Sequence, residues 1–208
     1  MKRKPTEIRK AEIIEASMKI IASKGAKRFT AQLIADEVGM TAGGIFRHFA
    51  TMDDIVEGIL DRMEEVLFDG FPPSAEDPWT RLKEFFEHRV LVMVAHPDIS
   101  KILLSDHLAH LAGEIAAARV KGLKRRSQQF VTQCLQEAAD RGELATDVSV
   151  NAAKVVVLGA ILAVGHATPR IANQTETKQL KGEVWCAIEK MHHISGTDNH
   201  RKKGGHRQ

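Results

Sequence analysis

The chain has 208 residues, of which 43% are hydrophobic and 27% charged, values that are ordinary for a soluble globular protein. The formal net charge of +3 is unevenly placed, because residues 1–50 carry ten Lys or Arg against five Asp or Glu, whereas residues 51–194 carry sixteen against twenty-one. This distribution predicts that only the N-terminal part meets a polyanion. The two cysteines, Cys134 and Cys186, lie in no metal-ligand spacing and indicate free thiols.

The sequence contains no pattern typical of secretion or membrane insertion. The charged residues 1–5 are not followed by an apolar segment, so they do not form a signal peptide. The longest apolar run, residues 155–165, is well short of the roughly 20 residues that span a bilayer. We therefore expect a cytoplasmic protein with no membrane partner.

Hydrophobic periodicity predicts an all-α fold made of an N-terminal three-helix domain and a larger helical C-terminal domain. In chain order, helices are predicted over about 7–24, 31–38, 42–49, 53–68, 78–95, 98–105, 106–140, 148–167 and 176–193. Thr30 and Thr41 are good N-caps for the second and third helices, and residues 70–74 form a loop rich in Gly and Pro. The predicted domains are 1–52 and 53–194, followed by a polar, glycine-rich tail, 195–208, that is expected to be disordered.

The two short helices that follow Thr30 and Thr41 are separated by a Gly39-Met40 turn. This spacing fits a helix-turn-helix motif, in which the second helix enters the major groove of DNA. An ordinary helical hairpin is compatible with the same spacing, so the pattern alone does not decide between them.

The string from Phe29 to Phe49, FTAQLIADEVGMTAGGIFRHF, resembles the N-terminal domain of the TetR family of repressors. The resemblance extends back through the first predicted helix to Ile13 and forward to Ile55, about a quarter of the chain. Beyond Ile55 only the number and lengths of the helices are similar. The resemblance implies a DNA-binding head followed by a domain that binds a small molecule and forms a dimer.

Carried over by position, the resemblance implies a DNA-binding surface on the second and third helices. Its residues are Thr30, Gln32, Thr41, Ala42, Gly43, Gly44, Arg47 and His48. The two threonines and His48 match phosphate-binding positions, and residues 42–47 match the recognition helix. The small core of the domain is expected to contain Ile34, Ala35, Val38, Ile45 and Phe49.

Three residues depart from the family pattern. Phe46 replaces the usual Tyr and Met52 replaces the usual Lys, so a hydroxyl and a charge that would touch phosphate are missing. Gly44 replaces a small side chain that can touch a base edge. These departures predict either weaker DNA binding or compensation by other basic side chains. The candidates are Arg47, Lys27, Arg28 and the N-terminal arm Lys2-Arg3-Lys4, although a solvated tail is the simpler interpretation of that arm.

The second part of the chain carries features of a dimer interface. Residues 155–164 are apolar around the whole helix, which predicts burial on every side, and the last helix has an apolar stripe. The family resemblance implies that both helices pair with their copies in a second subunit. The predicted interface residues are Val156, Ala160, Ala163, Val184, Ile188 and Met191. The alternative is that the apolar helix is the core of a monomer.

A ligand pocket is harder to recognise, because an apolar stripe is more often plain core than pocket lining. The predicted lining residues are Phe86, Met93, Leu103, His107, Leu111, Val131 and Leu135. An effector bound there is expected to be apolar or amphipathic. His107 and His110 lie three residues apart near Asp106, a spacing that suits a ligand or a metal, but unrelated histidines are the simpler interpretation, and neither a metal nor a cofactor is predicted.

The remaining observations narrow the class of protein. The cluster Lys121, Lys124, Arg125 and Arg126 is interpreted as a solvated helix face rather than a second nucleic-acid site. The sequence shows no nucleophile motif, phosphate-binding loop or carboxylate pair, so an enzyme is not predicted. The predicted function is a homodimeric transcriptional repressor that binds a palindromic site in double-stranded DNA and is released by a small effector. The alternative is a DNA-binding protein of the same fold without an effector, acting architecturally or through a protein partner.

Overall fold

The computed structural model describes residues 5–105, 108, 111, 113–167 and 174–191, and within these ranges it is helical, with no strand. The helices are α1 (Thr6–Lys24), α2 (Ala31–Val38), α3 (Ala42–Ile45), α4 (Met52–Phe68), α5 (Pro78–Ala95), α6 (Pro97–Leu104), α7 (Gly113–Asp140), α8 (Val150–Ala167) and α9 (Gln174–Glu189). A short 3₁₀ turn, Ala26–Arg28, joins α1 to α2. The predictions for the basic arm at residues 2–4, for His107, His110 and for the tail 195–208 lie outside the described residues.

Local hydrogen bonds explain where several helices begin. The hydroxyls of Thr30 and Thr41 accept hydrogen bonds from the amides of Leu33 and Gly44, at 3.3 and 3.1 Å, which confirms both predicted N-caps. Thr51 begins α4 with a full capping box, because Asp54 in turn accepts a bond from the Thr51 amide at 2.9 Å. These caps satisfy amides that a helix start leaves without an intrahelical partner.

The third helix is shorter than the sequence predicted. It was expected to continue to Phe49, but regular α-helix ends at Ile45. The chain continues in a tighter turn, in which the amides of Arg47 and His48 donate to carbonyls three residues back, at 3.3 and 2.9 Å. Gly43 and Gly44 are poor helix formers, each costing about 1 kcal/mol relative to Ala, which favours the tighter turn.

The head and the body share a continuous apolar core. Ile13 and Ile20 of α1 are buried together with Ile34 and Ile45 of the two short helices. α1 also packs against α4 and α6. Gly58 permits the close approach of α4, since an added Cβ would lie 2.6 Å from the Ile14 Cδ1 atom. The boundary after residue 52 therefore falls within a packed unit, and the division into two domains stays a prediction.

The body is built on three long helices, α5, α7 and α8, that pack against one another. Gly165 allows α8 to lie directly on α5, because a Cβ added there would stand 2.6 Å from the Cβ of Met93. α9 adds Trp185 and Ile188 to the same core, with the Trp185 ring centroid 5.4 Å from that of Phe86.

Burial of α8 on every side, as expected from its sequence, is not found within one chain. Its inner face is buried through Val157, Ile161 and Val164. On the outer face, Val155 and Val156 are 67% and 48% exposed. α8 is also the one helix among the described residues that is long and apolar enough to cross a membrane. A single such helix is weak evidence for a membrane span, because a helix that packs in a soluble protein passes the same test.

Candidate DNA-binding interface and effector cavity

A tight turn sets the angle between the two short helices of the head. α2 ends at Gly39, whose φ of 66° is left-handed and suits glycine, and the amide of Met40 donates to the Ala35 carbonyl at 2.8 Å. α3 begins two residues later at its Thr41 cap. Two short helices joined in this way have the geometry of a helix-turn-helix motif.

Most of the predicted DNA-binding residues lie on the accessible side of this motif. Thr30, Gln32, Thr41, Gly43 and Arg47 are exposed. Arg47 carries the longest hydrogen-bond donor between Thr41 and His48, whereas Gln32 donates to the Asp36 carboxylate at 2.7 Å. Between Thr41 and His48 the surface therefore offers one extended cation, and the small residues Ala42 and Gly43 allow a close approach to DNA.

Gly44 lies on the inner side of the motif, unlike its neighbour Gly43. Gly44 is buried, and its amide donates to both the hydroxyl and the carbonyl of Thr41. A Cβ added at Gly44 would stand 3.2 Å from Met40 Cε, while one added at Gly43 would meet nothing within 4 Å. The predicted base contact at Gly44 has no support from this orientation, because the residue faces the turn.

The residues beside the recognition helix differ in how they meet solvent. His48 and Ala42 are half-buried, and the Nδ1 atom of His48 is buried without a hydrogen-bond partner. Phe46 is 44% exposed, so the position that usually holds a Tyr presents a bare ring. Met52 is the first residue of α4 and lies half-buried against the core.

A cavity of about 270 Å³ lies in the body, between α4, α5, α6, α7 and α8. Its lining residues are Leu67, Phe85, Arg89, Met93, Leu103, Leu104, Leu123, Lys124, Ser127, Gln128, Leu158, Ile161 and Leu162. The walls are largely apolar, and the polar side chains come from α5 and α7. This size is just below the range of about 300–1,000 Å³ that holds drug-sized ligands.

The predicted pocket residues fall into different environments. Met93 and Leu103 line the cavity. Phe86, Val131 and Leu135 are fully buried in the surrounding core and do not line the cavity. Leu111 is half-buried against the core outside the lining, and His107 lies outside the described residues.

Sequence reasoning missed the polar members of the cavity, above all Arg89. Periodicity selects apolar residues, whereas Arg89 lies four residues after Phe85 and four before Met93, on the apolar face of α5. A lone arginine inside such a stripe was the signal that could have identified it. Ser127 and Gln128 occur in a polar stretch of α7 and gave no comparable signal.

Arg89 is only 5% exposed. Its Nη2 atom donates to the Ser127 hydroxyl at 3.3 Å, and its guanidinium carbon lies 5.0 and 4.9 Å from the ring centroids of Phe68 and Phe85. Its Nε atom is buried without a hydrogen-bond partner. Burial lowers the pKa of Arg89 to about 10, and the positive charge of Arg126 acts in the same direction.

Ion pairs tie α4, which runs from the head to the cavity, to α7. Arg119 of α7 bonds to Glu57 and Asp61 and lies 3.5 Å from Glu64. Arg126, one of the residues predicted to be solvated, pairs with Glu64 at 3.4 Å and lies over the Phe68 ring at 4.1 Å. Arg126 therefore joins α7 to α4, whereas Lys121, Lys124 and Arg125 of the same cluster are exposed.

The predicted dimer-interface residues are not equally accessible. Val156 and Ala163 of α8 are exposed, while Ala160, Val184 and Met191 are half-buried. Ile188 is 2% exposed and already packs in the core of its own chain. Among the described residues, no cluster of three potential metal ligands occurs.

A helix-turn-helix head joined to an all-helical body that encloses a cavity defines a DNA-binding transcriptional regulator. Residues 13–59 match the family described as bacterial regulatory proteins, tetR family. The N-terminal head of the chain therefore has the sequence of the DNA-binding domain of that family. The fold of the chain, all-α with an N-terminal helix-turn-helix, is that of its structural neighbours.

Three known proteins illustrate the similarity. The transcriptional repressor KstR2 of Mycobacterium tuberculosis is 21% identical over 69% of this chain and 72% of its own length, and its structure superposes with a TM-score of 0.73 over 90% of this chain and 96% of that one. The nucleoid occlusion factor SlmA of Aliivibrio fischeri is 28% identical over 74% and 80% of the two chains. The structure of AibR in complex with isovaleryl coenzyme A and operator DNA has 21% identity and a TM-score of 0.71, covering 86% and 97%.

Proposed function

We propose that the protein is a cytoplasmic, homodimeric repressor that binds a palindromic operator and leaves it when a small apolar or amphipathic molecule occupies the cavity. The observation that carries this proposal is that α4 joins the two functional regions. Gly58 of α4 packs on α1 of the head, whereas Leu67, nine residues later, lines the cavity. A ligand that moves Leu67 therefore has a direct mechanical path to the head.

DNA recognition rests on the exposed side of the helix-turn-helix motif. Arg47 is placed to read a guanine through its guanidinium, the commonest specific contact in the major groove. Thr30, Gln32, Thr41 and His48 contact phosphates, and Ala42 and Gly43 let the backbone approach the duplex. Two copies of this surface require half-sites about 34–36 Å apart, or a multiple of that distance.

The dimer uses the outer face of α8 together with α9. Val155 and Val156 are exposed apolar side chains on this face, and Gly159 and Ala163 allow a second helix to approach closely. An apolar face of this kind favours a second copy of the chain, because two-fold symmetry presents the same face from both sides. Val184 and Met191 at the edge of α9 would extend the contact.

Release requires that the effector bind the conformation that cannot hold DNA more tightly than the one that can. The element that transmits the change is α4. Its C-terminal end lines the cavity through Leu67, and Arg119 forms ion pairs with its acidic side chains. Removal of this clamp by Arg119→Met is expected to change the effector concentration needed for release while leaving the cavity lining intact.

The first test is selection of bound sequences from a random DNA pool by the full-length protein. The expected result is a palindrome whose two half-sites lie on one face of the duplex. The second measurement is a fluorescence-anisotropy titration of that site with candidate small molecules. A recovered site without two-fold symmetry would contradict the proposed operator, and a symmetric site that no cavity ligand can release would contradict effector control.

A second candidate function is favoured by the similarity to the nucleoid occlusion factor SlmA. In this alternative the protein binds DNA and acts through a protein partner, without an effector. The substitution Leu162→Trp separates the two, since it fills the cavity without touching the head. A variant that binds the operator but no longer responds to small molecules supports effector control, whereas unchanged cellular function favours the alternative.

A further inference from the structure

Arg89 is a buried cation for which the described part of the chain supplies no anionic partner. Among the described residues, none of the acidic side chains forms an ion pair with Arg89. A buried cation without an anionic partner is strongly disfavoured, because the interior solvates it less well than water does. The contacts that it does make, to two aromatic rings and one hydroxyl, compensate only part of that loss.

The position of Arg89 indicates where a partner would bind. Both Arg89 and its hydrogen-bond partner Ser127 line the cavity, and the Nε atom of Arg89 still lacks an acceptor. Arg126, whose positive charge acts on Arg89, is already paired with Glu64. The site can therefore accept negative charge that no described residue supplies.

The rest of the cavity favours an apolar group. Leu103, Leu158 and Leu162 are among the residues that form its walls, and Met93 lines it about one helical turn after Arg89 on α5. A cavity of about 270 Å³ exceeds the roughly 150 Å³ that holds one benzene molecule. The space suits a short or medium-length hydrocarbon chain.

We propose that the effector of this cavity is an amphipathic anion whose carboxylate or phosphate head pairs with Arg89 and whose short hydrocarbon tail packs against the leucines. This inference rests on the proposed function for its regulatory meaning, but the binding itself does not. Arginine suits this role because its planar donors match both head groups. Lys124, at the same cavity, adds a second positive charge to the path by which the ligand enters.

The test uses the full-length protein and four probes of equal chain length: octanoate, octyl phosphate, octanol and octylammonium. Isothermal titration calorimetry at neutral pH measures each affinity. The expected order places one or both anions at least tenfold above octanol, with octylammonium weakest because its charge repels Arg89. The comparison between octanoate and octyl phosphate distinguishes the two head groups.

Two variants locate the effect. Arg89→Met keeps a long side chain but removes the charge, and it is expected to lower the affinity for the preferred anion about 10- to 100-fold while leaving octanol within about threefold. Arg125→Met is the matched control, because that arginine is exposed on α7 and does not line the cavity. Its anion affinity is expected to stay within about threefold of the unmodified protein.

Each outcome supports or overturns the proposal. Equal binding of the anions and octanol overturns the proposal, and so does unchanged anion binding in Arg89→Met. The proposal is also overturned if all four probes fail to bind. If Arg89→Met does not fold, the head-group order in the unmodified protein still decides. Charge-dependent binding that fails to release operator DNA retains the ligand assignment and contradicts only the proposed effector control.

Discussion

Arg47 in the head and Arg89 in the body show how differently the two regions use the same side chain. Arg47 is exposed, where water already satisfies its donors and binding to DNA exchanges one set of contacts for another. Arg89 is 5% exposed and has lost most of its water before any ligand arrives. In the proposed function, the head therefore meets a large external anion whose charge is screened by salt, and the body meets a small one in a low-dielectric interior.

The largest effect on operator binding is expected from a change that prevents dimerisation of the body. Ala163→Glu places one charge per subunit at the centre of the outer face of α8, and each buried, unpaired charge costs about 3–5 kcal/mol. We expect a folded monomer with no measurable operator binding at micromolar concentration. Sedimentation velocity and anisotropy measure the two effects. Ala118→Glu, also an exposed helical Ala→Glu change, is the control. A stable Ala163→Glu dimer would place the interface elsewhere.

The same glycine-to-alanine change is expected to have opposite effects in the two regions. Gly165→Ala forces a Cβ to within 2.6 Å of Met93 Cβ, so it should lower the free energy of unfolding by about 1–3 kcal/mol. Gly43→Ala has open space and a better helix propensity, so it should raise that free energy by up to about 1 kcal/mol. Thermal and urea unfolding measure both. Equal destabilisation by both changes would contradict the difference in packing.

Arg47→Ala tests whether the head reads sequence through this side chain. Loss of a bidentate contact to guanine should weaken specific binding by about 1–3 kcal/mol and relax the preference at one base pair of each half-site. Arg28→Ala is the control, because an exposed arginine outside the recognition turn should affect all sequences alike. Competition binding against substituted operators measures the difference. An unchanged preference in Arg47→Ala would assign base recognition to another residue.

The head was predictable in detail because local chemistry fixes it. Thr30, Thr41 and Gly39 each have a role that is visible within four residues of sequence, and a resemblance to a known family set their order. The inward orientation of Gly44 was not predictable, since it depends on how Met40 packs over the turn. The end of α3 at Ile45 depended on two adjacent glycines, whose combined weakness periodicity does not measure.

In the body, periodicity predicted the helices but not their neighbours. It indicated that α8 is apolar on all sides, yet which side faces the chain depends on the close approach of Gly165 to Met93. It marked Phe86 and Val131 as candidate lining residues, whereas both belong to the solid core. The cavity forms where five helices separated in sequence leave a gap, and no local pattern records that gap.

The smallest effect is expected at Met52, where the head begins to pass into the body. Met52 is half-buried at the first position of α4, so a lysine there can lay its hydrocarbon stem along the core and extend its ammonium outward. If that ammonium reaches a phosphate, Met52→Lys should tighten binding to operator and random DNA alike, because phosphate carries no sequence information. The slope of log affinity against log salt should steepen by about 0.9 for each lysine, or roughly 2 for a dimer.

The control for this last measurement is an uncharged substitution at the same position, because two carboxylates lie next to residue 52. Asp53 and Asp54 lie beside the new charge, and Asp54 is committed to the capping box of Thr51. Met52→Gln, which is polar and uncharged, separates a charge effect from a change in packing at the start of α4. The salt slope should stay unchanged in Met52→Gln and steepen only in Met52→Lys. An unchanged slope in both variants would mean that residue 52 faces away from the duplex, and that the head approaches DNA through the recognition turn without the start of α4.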